Sequence, residues 1–406
     1  MKKIIIIGGG ISGLAVLHYI KKRYQETVEV TLIEKNSDVG GTIASFESQG
    51  SIFETGPNGF LTNQPNTLEF IKDLGFLDQL IEANEDSKRR YIQMNGKLHL
   101  LPMDPVNFFK TPLLSATEKI RLIQGLFKKN ISKDQSVYDY TAERFGPAVA
   151  SRLVDPFLTG IYAGDIKRLH MGAAFPKMGT PKGQPKAKMC SFVNGMGSLI
   201  GQLALKYKSS IQIGVEVKDL AELKADTIIC ATPAYVAAEL FGMPILQDIY
   251  YSPVAVVGML IKKDSFKRLP DGFGYLIPSG EGKEVLGVLI ESNVYTRQTS
   301  KDQIFLRVMM GGAHHPGIAS YTKEQLQVLA LKEIDEIYGL KEDSSSISVK
   351  LWTKGIPQYE LDYPAIRQAI TEELKKKQNL FLCANYLDGI SFNDCIKNAK
   401  ELVDSL

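Results

Sequence analysis

Ile4-Ile5-Ile6-Ile7-Gly8-Gly9-Gly10-Ile11-Ser12-Gly13-Leu14 is the stretch of this 406-residue chain that decides its fold. Four successive β-branched residues predict a strand buried on both faces, and the apolar spacing after the glycines predicts a helix. Gly8 makes the tight turn, Gly10 allows close approach of a pyrophosphate, and Gly13 allows close packing of the helix on the strand. Because the free N–H groups of the helix N-terminus then face the anion, the stretch predicts a dinucleotide site.

A second predicted strand, Val28–Ile33, ends in Glu34. A carboxylate there can accept hydrogen bonds from ribose hydroxyls and would repel a 2′-phosphate, which disfavours NADP. Val39-Gly40-Gly41-Thr42 follows at once, and its glycine pair permits a second close backbone approach to the same cofactor. A glycine turn without a ligand is the alternative interpretation. These residues resemble the FAD-binding half of the flavin amine oxidase superfamily rather than a nicotinamide dehydrogenase.

The composition is that of a soluble globular protein, with 44% hydrophobic and 23% charged residues and a net charge of +3. The basic residues are scattered, so nothing indicates binding of nucleic acid. We expect a cytoplasmic protein, because the chain enters its first strand directly and has no apolar run long enough to cross a membrane. The four cysteines form no CxxC pair, which favours buried thiols over a metal site.

The order of elements predicts an α/β protein. A Rossmann-like FAD-binding domain is interrupted by a mostly-β substrate-binding domain and by a helical subdomain that is a candidate for membrane association. A linker at 178–186, rich in Pro, Gly and Lys, is the clearest candidate boundary. The predicted segments are 1–85 (FAD-binding), 86–185 (substrate-binding and helical), 186–240 (FAD-binding), 241–345 (substrate-binding) and 346–406 (FAD-binding).

Individual elements follow from periodicity and turn residues. The sequence predicts helices at 67–80 and 321–338, a hairpin at 88–98 with the turn Asn95-Gly96, a short strand at 215–217, and strands at 254–261, 274–277, 285–291 and 304–310.

Residues 102–145 are predicted to be helical, with apolar residues interleaved with lysines and arginines. This mixture suits either a packed helical subdomain or, at 102–130, a helix that lies in a membrane interface. Three adjacent cations, Lys88-Arg89-Arg90, are typical of a solvated strand end. Alternatively, one of them faces an anionic substrate.

Five separated motifs together resemble the protoporphyrinogen oxidase family, from residue 4 to about 400. They are Gly56-Pro57-Asn58-Gly59; Asp155-Pro156-Phe157 with Gly160-Ile161-Tyr162-Ala163-Gly164; Asn194-Gly195-Met196-Gly197; Trp352 with Ile356-Pro357-Gln358-Tyr359; and Asn385-Tyr386 with Asn393-Asp394-Cys395-Ile396. Without the resemblance, the first of these motifs is equally well a rigid connection.

The resemblance implies which residues form the site. FAD would contact Gly8, Gly9, Gly10, Ile11, Ser12, Gly13, Glu34, Lys35, Gly41, Thr42, Gly56, Pro57, Asn58, Gly59, Val217, Trp352, Ile390, Ser391 and Phe392. The substrate would contact Asn58, Arg90, Gly160, Phe273, Leu276 and Met309, with Arg90 pairing with a propionate.

The resemblance also implies a reaction, the FAD-dependent oxidation of protoporphyrinogen to protoporphyrin in haem biosynthesis. Hydride equivalents would leave the methylene bridges in three two-electron oxidations, with molecular oxygen as the final acceptor and hydrogen peroxide as product. This chemistry needs an apolar slot and no strong base. The resemblance further implies peripheral contact with the inner face of the cell membrane, and the oligomeric state is left open with a homodimer as first candidate.

Three alternatives remain open. The nearest is oxidation of coproporphyrinogen, which carries four carboxylates instead of two, although 272–278, 285–289 and Arg90 look more like the two-carboxylate type. A flavin amine oxidase is the second, against which the C-terminal motif has no aromatic pair to bracket an amine. The third is a non-catalytic protein that binds FAD or carries a porphyrin.

Overall fold

The computed structural model describes residues 1–102, 104–129, 131–176, 187–295, 301–341 and 345–406. In chain order the strands of these residues are β1 (Lys2–Ile7), β2 (Val28–Ile33), β3 (Ser45–Ser48), β4 (Ser51–Glu54), β5 (Phe60–Leu61), β6 (Leu80–Glu82), β7 (Arg90–Met94), β8 (Lys97–Leu100), β9 (Met189–Phe192), β10 (Ile211–Gln212), β11 (Thr227–Cys230), β12 (Tyr251–Lys262), β13 (Gly274–Leu276), β14 (Val285–Ile290), β15 (Gln303–Gly311), β16 (Ser345–Pro357) and β17 (Leu380–Leu382). The α-helices are α1 (Ile11–Tyr24), α2 (Pro65–Asp73), α3 (Pro105–Lys110), α4 (Ala116–Phe127), α5 (Val137–Phe145), α6 (Pro147–Val149), α7 (Asp155–Tyr162), α8 (Met171–Ala174), α9 (Met196–Lys206), α10 (Ala234–Phe241), α11 (Glu291–Val294), α12 (Lys323–Tyr338), α13 (Tyr363–Lys375) and α14 (Phe392–Ser405).

A five-stranded parallel sheet has β1 at its centre, in the order β10-β2-β1-β11-β17. The isoleucines of β1 are buried on both faces, as the β-branched run predicts. Helices α1 and α14 pack on one face of the sheet, whereas α10 and α13 pack on the other. The predicted Rossmann-like α/β fold is therefore confirmed.

The strands of this sheet come from widely separated parts of the chain, since β1, β11 and β17 are neighbours. The domain limits themselves stay predictions, and the linker at 178–186 lies outside the described residues. The predicted strand at 215–217 is wrong. Gly214 adopts a φ of +71°, which ends the extended run after β10, and the Val215 N–H donates instead to the Glu34 carbonyl.

A seven-stranded sheet, in the order β16-β12-β15-β14-β13-β7-β8, carries the predicted mostly-β region. Its pairs are antiparallel except for β13 with β7. One face packs on α12, and the opposite face contacts Phe53 and Ala163. Asn95 and Gly96 both have positive φ angles, so the predicted two-residue hairpin turn between β7 and β8 is confirmed.

The region after residue 102 is helical, as predicted, but it consists of the separate short helices α3, α4 and α5. The predicted helix at 67–80 is too long, because α2 ends at Asp73 and Gly75 takes a left-handed φ of +66°. Within the described ranges, no helix combines the length and apolar character needed to cross a membrane.

Candidate active site

The turn between β1 and α1 contains two kinds of glycine: those that the packing of the protein requires, and one with no protein atom near its missing side chain. A Cβ atom on Gly13 would overlap the carbonyl oxygen of Gly8, and Gly8 has a φ of +107°, so the protein's own packing requires both. A Cβ atom on Gly10 would meet no protein atom within 4 Å. The backbone at Gly10 is therefore open on the side where a pyrophosphate is expected.

The N-terminus of α1 begins at this open side. No side chain in the described part of the chain caps the helix at Gly10, so its first N–H groups remain available to an anion. The N-terminus of α14, where the resemblance places Ser391 and Phe392 beside FAD, differs. At α14, the Ser391 hydroxyl accepts from the Asp394 N–H at 3.1 Å and the Asp394 carboxylate accepts from the Ser391 N–H at 3.2 Å. Its capping box already uses these groups of Ser391.

Glu34 is buried at the end of β2, beside the glycine turn. One carboxylate oxygen accepts from the Gly9 N–H at 2.7 Å, and the other accepts from the N–H and side-chain amide of Asn36 at 2.9 and 2.6 Å. A carboxylate offers about four acceptor positions, so these three bonds orient the group and leave room for one hydroxyl donor. Lys35 is exposed next to it.

The second glycine pair lies against the first turn. The Gly40 N–H donates to the Gly9 carbonyl at 2.7 Å, and a Cβ atom on Gly41 would lie 3.3 Å from Cα of Gly10. The second glycine pair thus lies beside the first turn, with Thr42 exposed at its end, and its approach to the cofactor stays a prediction. The residues predicted from the N-terminal sequence to hold a dinucleotide lie in one place.

The 56–59 loop runs between this region and the seven-stranded sheet. The Trp352 indole N–H donates to the Thr55 carbonyl at 2.8 Å, and Arg307 donates to the Gly56 carbonyl. The Asn58 side chain donates to Glu291 at 3.1 Å. These contacts bring Trp352 next to the loop, another segment predicted to contact FAD, and they involve Arg307 and Glu291, which no sequence motif indicated.

The remaining cofactor positions contact their surroundings in different ways. Val217 is half-buried against the core between the parallel sheet and α13, two residues beyond the hydrogen bond to Glu34. Ile390 packs at the edge of the cluster around Tyr359. The Phe392 ring is buried, and its centre lies 5.2 Å from the centre of the Phe60 ring, so its side chain packs in the core. The roles of these residues toward FAD stay predictions.

Three of the predicted substrate positions, Leu276, Met309 and Gly160, meet on one face of the seven-stranded sheet and on α7. Leu276 is in register with Gly287, and Gly287 is in register with Met309 on the next strand. Residues in register share a face of the sheet, so Leu276, Gly287 and Met309 form one apolar strip, here called the channel, in which Cδ2 of Leu276 lies over Gly287, 2.9 Å from where a Cβ atom would be. A Cβ atom on Gly160 would lie 3.1 Å from Cδ2 of Leu276, which places α7 over one side of this channel.

Arg90 lies at the start of β7, in register with Gly274. Its guanidinium lies over the Phe273 ring, 4.6 Å from the ring centre. Burial lowers the pKa of Arg90 from its ordinary value. Among the described residues no carboxylate forms an ion pair with it, whereas its neighbour Arg89 pairs with Asp271 at 2.9 Å. This cation is therefore available to an anionic ligand.

Three further residues shape the site without having been predicted from the sequence, namely Arg307, Glu291 and Gly287. Arg307 interrupts the apolar run of β15, and its side chain is only 6% exposed, next to Glu291 at 7%. A single charge inside a buried strand was the available signal. Gly287 has no sequence signal, because only the register of β13 with β14 shows that it faces Leu276.

These features fit a flavin dinucleotide. The open face at Gly10, the uncapped N-terminus of α1 and the oriented Glu34 carboxylate suit the pyrophosphate and ribose. The 56–59 loop lies between them and the channel at Leu276 and Met309, where a redox ring could face a substrate. Among the described residues no cluster of His, Cys, Asp and Glu could hold a metal ion.

Comparison with known proteins agrees with this site. Residues 11–404 match the family described as flavin containing amine oxidoreductase. The chain is 26% identical to the chloroplastic protoporphyrinogen oxidase of Nicotiana tabacum, over 99% of this chain and 85% of that protein. It is 24% identical to the coproporphyrinogen III oxidase of Bacillus subtilis (strain 168), over 99% of this chain and 97% of that protein.

Among solved structures, a candidate protoporphyrinogen oxidase from Exiguobacterium sp. 255-15 superimposes with a TM-score of 0.87 at 22% identity, covering 100% of this chain and 98% of that chain. This likeness shows that the two proteins share a fold. Because the family match extends over nearly the whole sequence, the chain belongs to the flavin containing amine oxidoreductase family.

Proposed function

We propose that this flavin-dependent oxidoreductase uses FAD to oxidise a porphyrinogen to a porphyrin in haem biosynthesis, with protoporphyrinogen as its substrate. The names of the Nicotiana and Bacillus relatives support a porphyrinogen as the substrate class. Molecular oxygen as the final electron acceptor, with hydrogen peroxide as product, is part of the same proposal.

The observation that carries the proposal is Arg90, a half-buried cation beside an apolar channel. A porphyrinogen is a broad, mostly apolar ring system with carboxylates at its rim. The channel formed by Leu276 and Met309 offers an apolar surface for the ring, and Gly160 lets α7 approach Leu276 closely at its border. Arg90 can then hold one carboxylate through charge-assisted hydrogen bonds, which a planar guanidinium makes well.

Different residues bind the cofactor, orient the substrate and exclude water. The N-terminus of α1 and Glu34 hold the dinucleotide. Arg90 fixes the orientation of the substrate, and the apolar side chains of the channel exclude water from the reacting carbon. FAD, when bound, supplies a two-electron acceptor for hydrogen from a methylene bridge. We assign no side chain the role of a strong base, because formation of the aromatic product favours loss of the pyrrole protons.

Coproporphyrinogen is the second candidate, favoured by the name of the Bacillus relative. A substrate with four carboxylates would call for more than one available cation. In the described part of the cationic group at 88–90, Lys88 pairs with Glu85 and Arg89 pairs with Asp271, whereas Arg90 has no carboxylate partner. This distribution of charge supports the substrate with fewer carboxylates.

We also propose that the protein contacts a membrane surface through α3 and α4. Phe109 and Phe127 are 66% and 76% exposed, and Ile120 and Leu126 lie exposed between them. Arg121 and Lys128 lie on the same short helical region. Exposed apolar side chains flanked by cations suit the interface of an anionic bilayer. Such contact would place the protein at the inner face of the cell membrane.

The proposal is tested by mixing the FAD-loaded protein anaerobically with protoporphyrinogen and, separately, with coproporphyrinogen. We expect protoporphyrinogen to bleach the absorption band of the oxidised flavin, and porphyrin fluorescence to grow once air is admitted. Faster bleaching by coproporphyrinogen would move the substrate to the second candidate. Failure of both to reduce the flavin would contradict the oxidase assignment and leave an amine oxidase or a non-catalytic binding protein.

A further inference from the structure

The 56–59 loop is held by side chains of the opposite, seven-stranded sheet. Trp352 donates its indole N–H to the Thr55 carbonyl at 2.8 Å, and Arg307 donates to the Gly56 carbonyl. Asn58 donates to Oε1 of Glu291 at 3.1 Å. The substrate-facing sheet therefore holds the loop at Gly56 and Asn58 and the residue before it, Thr55.

These contacts fix the orientation of the peptide groups. In a trans peptide the N–H points away from its carbonyl oxygen, so the Gly56 N–H points away from Trp352. Within the described ranges no group accepts a hydrogen bond from this N–H. A Cβ atom on Gly56 would overlap the Thr42 carbonyl, which shows that Gly56 lies against the second glycine pair. The loop thus offers a backbone donor that points away from Trp352 of the seven-stranded sheet.

Arg307 and Glu291 are charged residues at a position that is almost completely buried. Their side chains are 6% and 7% exposed, with 3.8 Å between Nη1 of Arg307 and Oε1 of Glu291. Burying an ion pair removes water from both charges, which costs free energy. Two apolar side chains of similar size would therefore often stabilise the fold equally well. The apolar pair would lack the N–H groups that reach the Gly56 carbonyl and the carboxylate that receives Asn58.

We infer that Arg307 and Glu291 are positioning residues that hold the 56–59 loop in the conformation that binds FAD. The guanidinium donates a hydrogen bond to the Gly56 carbonyl and lies at ion-pair distance from the Glu291 carboxylate, an arrangement that suits its planar fork of donors. Glu291 in turn joins Arg307 to Asn58 through one shared oxygen. The inference rests on the proposed FAD-dependent function and adds a link between the substrate-facing sheet and the cofactor site.

The test measures FAD binding to the deflavinated protein, by quenching of flavin fluorescence, in Arg307→Met and Glu291→Gln. We expect the Kd for FAD to rise about tenfold or more in each variant, a loss equivalent to at least one charge-assisted hydrogen bond. Arg307→Lys keeps the charge and loses the fork, so its Kd should lie between those of the wild type and Arg307→Met. The flavin midpoint potential of the reloaded variants should also shift.

Matched controls come from the opposite side of the same sheet, where Lys283 pairs with Glu333 at 2.8 Å. Lys283→Met and Glu333→Gln should lower the Tm without changing the Kd for FAD. If the Arg307 and Glu291 variants behave like these controls, with a lower Tm and an unchanged Kd, the pair is only structural and the inference is wrong. If Arg307→Met does not fold, the Kd for FAD of Arg307→Lys, compared with that of the wild type, tests the inference instead.

Because no porphyrinogen enters this measurement, its outcome is separate from that of the proposed reaction. Wild-type protein that binds FAD while the variants match it would contradict the inference alone. Wild-type protein that does not bind FAD would contradict the proposed function.

Discussion

The guanidinium of Arg90 lies over the ring of Phe273, with 4.6 Å between its central carbon and the ring centre. The ring shields one face of the cation from water, in line with the lowering of the pKa of Arg90 by burial. At neutral pH the group remains charged, since arginine does not lose its proton in proteins. The channel therefore carries a positive charge at one end.

Replacing this charge should affect substrate binding more than catalysis. In Arg90→Met we expect the KM for protoporphyrinogen to rise about ten- to a hundredfold, from loss of roughly 1.5 to 3 kcal/mol of charge-assisted hydrogen bonding. The kcat at saturating substrate should stay within about threefold of the wild type, because the carboxylate lies away from the reacting carbon. Steady-state kinetics by porphyrin fluorescence provide the measurement.

Arg89→Met is the matched control, since Arg89 is exposed and already pairs with Asp271. Its KM should equal that of the wild type. The thermal stability of Arg90→Met should not fall, because the substitution removes a desolvated charge. An unchanged KM in Arg90→Met would contradict the role of Arg90 in binding the substrate.

Gly10→Ala should separate cofactor binding from folding. The new methyl group meets no protein atom, and Gly10 has a φ of −70° that alanine also adopts. We expect the Tm of the deflavinated protein to be unchanged and the Kd for FAD to rise about tenfold or more, because the methyl group occupies the space of the pyrophosphate. Differential scanning fluorimetry and fluorescence titration give the two values.

Gly13 and Gly201 provide the comparisons for this result. Gly13→Ala should destabilise even the deflavinated protein by about 1 to 3 kcal/mol, because its methyl group would overlap the Gly8 carbonyl. Gly201→Ala, in the exposed part of α9 with open space around it, should leave both the Tm and the Kd for FAD near the wild-type values or raise the Tm slightly. Equal FAD binding by wild type and Gly10→Ala would place the pyrophosphate elsewhere.

Gly160→Leu should close the channel from above. Its Cβ atom alone would lie 3.1 Å from Leu276, and the larger side chain would extend over the apolar surface. We expect kcat/KM for protoporphyrinogen to fall about tenfold or more while the Kd for FAD stays unchanged. Gly280→Leu, at an exposed turn with open space, is the control and should have full activity. Full activity in Gly160→Leu would show that α7 does not border the substrate site.

His18 should make the protein sensitive to acid. Its ring is buried between Tyr207 at 2.8 Å and Asp73 at 3.3 Å, and burial lowers its pKa from 6.5 to about 4. Between these values the unfolded chain binds more protons at His18 than the folded protein does. The free energy of unfolding should therefore fall as the pH is lowered from 6.5 toward 4, by roughly 2 to 3 kcal/mol in total.

His18→Gln removes the titrating ring, so its free energy of unfolding should depend less on pH across this window. Urea denaturation at several pH values measures the difference. His99→Gln, on β8 of the other sheet, is the control and should follow the pH dependence of the wild type. If His18→Gln loses stability toward acid as steeply as the wild type, another group is responsible.

The exposed phenylalanines of α3 and α4 provide a test of membrane contact. Phe109→Ser combined with Phe127→Ser should reduce co-sedimentation with anionic vesicles about tenfold, because each exposed ring can bury apolar area in the bilayer interface. Activity on detergent-dispersed substrate should be unchanged. Leu205→Ser, at an equally exposed position on α9, should bind vesicles like the wild type. Undiminished sedimentation of the double variant would contradict membrane contact through these helices.

The nucleotide-binding end could be predicted from sequence because its constraints are local. Gly8, Gly10 and Gly13 follow one another within a strand, turn and helix, and the positive φ of Gly8 leaves little choice of residue. The strands of the seven-stranded sheet were also found, since β-branched runs between turn residues are a local signal. Local periodicity was misleading at 215–217, where Gly214 ends the strand.

The substrate end depends on register between distant segments, which one sequence does not contain. Gly287 matters because β13 and β15 place Leu276 and Met309 on either side of it. Arg307 and Glu291 meet Gly56 and Asn58 across more than two hundred residues of chain. The resemblance to a known family located the predicted residues at this end, whereas contacts between the segments showed the residues that it did not name.

Strand β17 and helix α14 complete the parallel sheet from the far end of the chain, since β17 pairs with β11 and α14 packs on α1. During translation at about 5 to 20 residues per second, α1 would leave the ribosome roughly 20 to 80 s before α14. Through that interval α2 and α9 can cover part of the apolar face of α1, but the part that packs on α14 has no partner helix. We therefore expect the nucleotide-binding half to mature only after synthesis is complete, and nascent chains to depend on chaperones until then.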